Sequence, residues 1–188
     1  MEVTGVAAIA DRDAALIARA RQGDHDAFAA LIAPRADRVL RTARAILGDE
    51  AAAHDAAQNA VVSAWIHLPR LRDSDKFDGW INTMLRNECN AALRHRRRVR
   101  EIDLSTAEMA GGDRVTTPDP SVKSLETTAV KNAFQRLSVN DRMILLLHHL
   151  HGLPLEEVAR QIGVPIGTAK SRLWSARRAL ERALEAER

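Results

Sequence analysis

Two amphipathic stretches hinged on one glycine place the tightest limit on what this chain can fold into. In the first, Leu155, Val158, Ala159 and Ile162 fall at i, i+3, i+4 and i+7, which is one buried stripe of a helix. In the second, Ile166, Ala169, Leu173, Ala176, Leu180 and Leu184 keep the same period. Gly163 lies between them, and glycine takes a left-handed turn without steric cost. A short helix, a glycine turn and a longer helix predict a helix-turn-helix, whose second helix enters the DNA major groove. At about 100° per residue, Thr168, Ser171, Ser175 and Arg178 point away from the apolar stripe, with Lys170 and Arg172 on its flanks. Short polar residues suit base edges and flanking cations suit phosphates or a guanine. An amphipathic helix with an ordinary solvated basic face would show the same pattern.

The rest of the chain reads as helix as well. It is rich in Ala, Leu and Arg and holds no sustained alternating run, so the expected class is all-α. A length of 188 residues allows one domain or two small ones. The net charge of +3 matters because it is clustered. Arg94, Arg96, Arg97, Arg98 and Arg100 form one group, and Lys170, Arg172, Arg177, Arg178 and Arg182 form another. The stretch Glu101 to Glu126 between them is net acidic.

Cys89 is the single cysteine, which excludes an internal disulfide and a multi-cysteine zinc site. His148, His149 and His151 sit at one polar helix end without matched partners, so they read as solvated or packing histidines. No metal or cofactor is expected. No apolar run approaches the ~20 residues that span a bilayer, and no signal-peptide pattern opens the chain. The expectation is a soluble cytoplasmic protein with no membrane insertion.

Breaker residues divide the chain. From Asp11 to about Arg98 the pattern is helical. Asp24 or Asp26 caps a helix through Ala27–Ile32, another runs from about Ala33 to Leu47 and stops at Gly48, and a third runs from about Asp49 to just before Pro69. After a short loop, Arg70 to Lys76, a long helix is predicted from about Asp78 to Arg98. Phe77, Trp80, Ile81, Met84 and Ala91 share one of its faces; Asn82, Arg86, Asn90, Arg94 and Arg97 lie opposite. A row of amides and arginines suits a nucleic-acid backbone with exposed bases alongside, and equally a solvated stripe. Glu88 falls on the mainly apolar face with no sequence-level explanation. The following stretch, Glu101 to Pro120, has no sustained period and reads as linker. Helical pattern returns near Leu125, and Ser138 caps a helix holding Met143, Ile144, Leu147 and Leu150. The domain reading is therefore 11–98, a linker at 99–127, and 128–186: two small helical domains joined by a flexible linker.

In this order the motifs resemble the extracytoplasmic-function (ECF) group of bacterial RNA polymerase sigma factors in the sigma-70 family, over about Asp13 to Leu184. Ala45-Ile-Leu-Gly-Asp49, Asp55-Ala-Ala-Gln58 and Trp65 resemble the segment docked on the polymerase β′ clamp helices. Phe77-Asp-Gly-Trp80 and Arg86-Asn87 resemble the segment that reads and melts the −10 element. Leu137-Ser-Val-Asn-Asp-Arg142, Leu145-Leu-Leu147, Leu155-Glu-Glu-Val-Ala159 and Gly167-Thr-Ala-Lys-Ser-Arg-Leu173 resemble the −35 reading domain. The resemblance implies a sigma region 2-like domain and a region 4-like domain, and a non-enzymatic factor that binds core polymerase, selects promoters and helps melt the −10 region.

Carried over residue by residue, it implies polymerase contacts at Asp55, Gln58, Asn59 and Trp65. It implies −10 DNA contacts at Lys76, Trp80, Asn82, Arg86, Asn87, Asn90, Arg94 and Arg97, and −35 contacts at Thr168, Lys170, Ser171, Arg172, Ser175 and Arg178. Implied partners are core polymerase through the β′ clamp helices and β flap, promoter DNA and an anti-sigma factor. Three positions depart from the pattern: Asn59 stands where the family usually has glutamate, Trp174-Ser175 replaces a pair that usually includes an arginine, and tyrosine is absent.

Chain length bears on mechanism. About 25 linker residues span roughly 25–30 Å as a free coil and about 80 Å fully extended. Two helical turns of promoter separate sites by roughly 70 Å. The linker must be drawn out on polymerase, and the free chain is expected to be compact and to bind promoter DNA poorly. The loop from Leu71 to Asp78 is the candidate pocket for a flipped base, since a loop can wrap a base and a helix face cannot. The main alternative is a dimeric helix-turn-helix regulator with a helical sensor domain, which leaves the arginine-rich helix unexplained. An enzyme finds no support: there is no Gly-rich phosphate loop, His-Glu-x-x-His or nucleophile elbow.

Overall fold

Every regular element among the described residues is helical. The computed structural model describes residues 3–110 and 125–186, with side chains over 11–99 and 128–186. The helices are α1 (Val3–Ala20), α2 (His25–Leu47), α3 (Glu50–His67), α4 (Phe77–Ala110), α5 (Leu125–Arg136), α6 (Val139–Leu145), α7 (Leu155–Ile162) and α8 (Ile166–Glu185). Short 3-10 turns at Leu68–Arg70 and Ser74–Lys76 join α3 to α4, and a π-helical turn at Leu146–Leu150 prolongs α6.

Local chemistry sets most of these ends. The Asp24 carboxylate accepts from the Ala27 N–H at 2.9 Å and caps α2; Asp49 does the same for α3 through Ala52 at 2.9 Å. Gly48 ends α2 in the left-handed region at φ 66°, and Gly163 turns α7 into α8 at φ 72°. Ser138 caps α6, its hydroxyl accepting from the Asp141 N–H at 3.1 Å.

Two helices differ from the sequence reading. The segments expected at 27–32 and 33–47 form one helix, α2, with Pro34 inside it. Proline removes one ladder bond, but Pro34 is exposed, and Leu31, Ile32 and Val39 on either side of it are buried. Packing of both halves on one core holds the axis, and Arg35 Nη1 donates to the Leu31 carbonyl at 2.8 Å. The second difference is α4, which continues past Arg98 to Ala110. Residues 99–110 of the expected linker carry helix formers such as Glu101, Leu104, Ala107 and Glu108, and the breaker pair Gly111-Gly112 follows only after them. The remainder of that linker, 111–124, lies outside the described residues.

In the first module α3 turns an all-alanine stripe inward. Ala53, Ala56, Ala60 and Ala64 are 0–3% exposed, and small side chains let α2 and α4 approach α3 closely. From α4, Phe77, Ile81, Leu85 and Cys89 fill the space at i+4 intervals, all at 0–1% exposure. Full burial of side chains this size contributes roughly 1.5–3 kcal/mol each. The second module packs Met143, Ile144 and Leu147 against Val158, Leu173 and Ala176. The two cores are continuous: α4 packs on α6 and α7, and α2 on α6.

Candidate nucleic-acid and polymerase interface

The start of α4 is fixed by charge. Asp78 accepts from Arg35 Nε at 2.7 Å and Arg38 Nη2 at 2.6 Å, while Arg35 also pairs with Asp13. The Arg35 guanidinium lies 5.1 Å from the Phe77 ring centroid. Burial works against its charge, but the Asp13 and Asp78 carboxylates outweigh burial and raise its pKa. This cluster ties α1, α2 and α4 together immediately beside the loop expected to hold a flipped base.

Along α4, the −10 candidates do not share one environment. Asn87, Arg94 and Arg97 are exposed, Arg86 and Asn90 half-buried, and Trp80 half-buried with its ring 6.1 Å from that of Phe77. Lys76 is exposed and pairs with Asp73 at 3.0 Å, which holds the Asp73 carboxyl below its usual range. Asn82 is buried, at 5% exposure. Its Nδ2 donates to Gln161 Oε1 on α7 at 2.6 Å, and Gln161 Nε2 donates on to Glu157 Oε1 at 2.6 Å.

The helix-turn-helix therefore covers the start of the α4 polar face. A Cβ on Gly79 would sit 2.9 Å from Gln161 Cα and 3.1 Å from the Arg160 carbonyl oxygen, so glycine is what allows α7 this close. Arg160 Nη1 also reaches the Asp75 carbonyl at 3.3 Å, latching α7 onto the Leu71–Asp78 loop. Further along the seam, His151 Nε2 meets Thr42 Oγ1 at 2.8 Å, Gln135 Nε2 donates to the Ala45 carbonyl at 3.1 Å, and Arg142 Nη1 donates to the Ile46 carbonyl. Burial, with Arg38 and Arg41 nearby, lowers the His151 pKa.

On α8 the −35 candidates are open to solvent. Lys170, Ser171, Arg172, Ser175 and Arg178 are exposed and Thr168 is half-buried. Sequence reasoning marked Trp174 only as a departure from the family pattern and gave it no role. Its side chain is 62% exposed, and the Arg178 guanidinium stacks 5.3 Å from its ring centroid. Its position two turns after Ile166 on a basic helix was the available signal.

On α3, Asp55, Gln58 and Asn59 are exposed and continue into Val62 and Ile66, which are 48% and 63% exposed. These five fall at i, i+3, i+4, i+7 and i+11, one solvent-facing stripe with an apolar end. Val62 and Ile66 were absent from the sequence reading. Trp65 faces elsewhere: it is half-buried, stacked on His25 at 4.4 Å and edge-on to Phe28 at 5.1 Å. Glu88, unexplained by sequence, accepts from the Ser63 hydroxyl at 3.4 Å and joins α4 to α3.

Among the described residues no cluster of His, Cys, Asp and Glu is arranged to hold a metal, and no helix is long and apolar enough to cross a membrane. His148 Nδ1 lies 2.9 Å from the Leu153 carbonyl and Arg177 Nε lies 3.2 Å from His149 Nε2. Burial pushes the Cys89 thiol up to about 12, so it is un-ionised and inert.

Comparison with known proteins finds two family matches along the chain. Residues 31–99 match the family described as Sigma-70 region 2, and residues 127–180 match Sigma-70, region 4. The ECF RNA polymerase sigma factor SigL of Mycobacterium tuberculosis is 30% identical over 77% of this chain and 81% of its own length. ECF sigma factor SigW of Bacillus subtilis is 26% identical over 89% of this chain and 94% of its own. Among solved structures, the sigma factor RpoE bound to the anti-sigma factor NepR, from Bartonella quintana, is 25% identical with a TM-score of 0.55, covering 84% of this chain and 96% of that one. CnrH in complex with the cytosolic domain of CnrY shares the fold, with a TM-score of 0.64 at 23% identity, over 95% of this chain and 99% of that one. With its two sigma regions in order on an all-helical frame, the chain belongs to the ECF group of sigma-70 family RNA polymerase sigma factors.

Proposed function

We propose that this sigma factor works as a two-point promoter reader that is closed when free and opened on polymerase. α8 reads duplex −35 DNA in the major groove through Thr168, Lys170, Ser171, Arg172, Ser175 and Arg178. Lys76, Trp80, Asn82, Arg86, Asn87, Asn90, Arg94 and Arg97 hold the −10 element and its unpaired bases. Asp55, Gln58 and Asn59, extended by Val62 and Ile66, dock on the polymerase β′ clamp helices, and the β flap holds the second module. Trp65 supports that surface from beneath. The protein contributes binding free energy and not bond chemistry. Unpairing costs a few kcal/mol, and each stacked base returns about 1–3 kcal/mol.

One observation carries the closed half of the proposal: Asn82, a candidate −10 contact, is occupied by Gln161 of the other module. In this arrangement α7 and the −10 strand compete for the same face. An anti-sigma factor, of the kind bound in the RpoE–NepR complex, has a ready target in the closed form. Footprinting on a cognate promoter tests the proposal, with and without core polymerase. Protection at both elements is expected only with core, and tight two-element protection by the isolated chain overturns it.

A further inference from the structure

On the face of the seam formed by α4 and α5 lies a cleft of about 670 Å³. Its charged walls are Arg96 and Arg97 from α4, Lys131 and Arg136 from α5, and Arg142 from α6; none of the described residues lining it is acidic. Arg142 is the unusual member. It is 4% exposed, and all its hydrogen bonds run to neutral oxygens: the Leu137, Ile46 and Gln135 carbonyls and Gln135 Oε1. Those bonds engage four of its five N–H groups and leave its charge without a counter-ion among them, where buried charges are ordinarily paired. Burial lowers the Arg142 pKa, and Arg97 acts in the same direction.

We propose that this cleft binds a short oligophosphate, either free or as the phosphate tail of a nucleotide, and that the bound anion clasps the two modules shut. Closing the seam brings Arg96 and Arg97 of α4 against Lys131 of α5 and Arg142 of α6, and one multivalent anion offsets that repulsion. Guanidinium forks match phosphate oxygens in pairs. The volume lies within the ~300–1,000 Å³ range of small-molecule sites. Among the described residues that line the cleft none is aromatic and none is acidic, so the phosphate chain is the part of a ligand that this lining favours. The site exists only while the modules touch, so the ligand opposes opening. This inference rests on the closed packing and not on the promoter assignments.

The test uses the full chain and tripolyphosphate, titrated by calorimetry at about 0.15 M ionic strength, where loose surface attraction is screened. One saturable site is expected, with slower hydrogen exchange in α7 when it fills. ATP and GTP should match each other, which assigns a nucleotide tail if they equal tripolyphosphate and a free oligophosphate if they are weaker. AMP should bind at least about tenfold more weakly, or 1.4 kcal/mol. Both Arg96→Gln with Lys131→Gln, and Lys131→Glu alone, change exposed positions and should lose about tenfold in affinity while melting as the parent does without ligand. The proposal is overturned if no saturable binding occurs or if both variants bind as tightly as the parent. It is equally overturned if short duplex DNA or an acidic peptide occupies the cleft more tightly than tripolyphosphate.

Discussion

Asn82 of α4 and Gln161 of α7, 79 positions apart in the chain, share a buried 2.6 Å hydrogen bond that joins the two sigma regions. Around it stand Gly79, whose missing side chain admits the α7 backbone, and Arg160, which reaches the Asp75 carbonyl. The pair is thus the centre of the α4–α7 contact.

Removing Gln161 should loosen the seam without unfolding either module. Gln161→Ala leaves the Asn82 amide buried without its acceptor, a cost of about 1–3 kcal/mol. Gly79→Ala should act in the same direction by steric conflict with backbone atoms. Faster hydrogen exchange in α7 and tighter core-independent binding of −10 single strands are the expected outcomes. Unchanged exchange in both variants would show that the seam does not depend on this contact.

The seam should also weaken in acid. Thr42 Oγ1 donates to the Arg38 carbonyl at 2.8 Å, so His151 Nε2 donates to Thr42 and the second ring nitrogen is free of its proton. Burial first, then Arg38 and Arg41, depress the His151 pKa below 6.5. A depressed folded-state value means that stability is fully present above the unfolded value of 6.5 and is lost as pH falls through the lower folded one. The protection factor of α7 amides, which removes the intrinsic pH dependence of exchange, should fall below about pH 6.5 in the parent, and His151→Gln should flatten that fall.

On α8, Arg172→Ala and Arg178→Ala should each cost about 1–3 kcal/mol of −35 binding if they read bases. Core affinity should stay unchanged. Trp174→Ala should behave like Arg178→Ala, because the indole holds that guanidinium in place. A pull-down with core polymerase alongside promoter-dependent transcription separates the two effects, and loss of core binding in these variants would reverse the assignment.

The α3 stripe should show the opposite pattern. Asp55→Ala with Gln58→Ala should reduce core affinity, and Ile66→Ser should add to the loss by removing an exposed apolar contact worth about 1–2 kcal/mol. Thermal stability should barely move, since all three side chains face solvent. A large drop in melting temperature would place these residues in the fold instead.

Local signals were the legible part of the structure. Gly48, Gly163, Asp24 and Ser138 end or start helices because each solves a backbone problem with its own atoms, and a single sequence carries that information. The angle count likewise places Asn82 on the polar face of α4, where the structure keeps it. The count omits the helix that lands on that face, because α7 arrives from 79 positions away and leaves no mark on the α4 period. Glu88 is the same lesson in reverse: it is unexplained within α4 and explained once Ser63 of α3 is beside it. Pro34 and the extension of α4 show packing and propensity overriding breaker and linker signals. Trp65 keeps its place on α3 but turns its ring inward onto His25 and Phe28.

The chemical identity of Asn82's partner has one further consequence. A glutamine side chain presents a planar amide, with a carbonyl oxygen and an N–H₂ on one edge. That is the vocabulary a thymine edge uses, since thymine also offers carbonyl acceptors beside an N–H group. On the proposed reading, the second sigma region supplies the first with a counterfeit base. Promoter DNA then displaces a mimic of itself, and the exchange keeps Asn82 supplied with an acceptor whichever partner it holds.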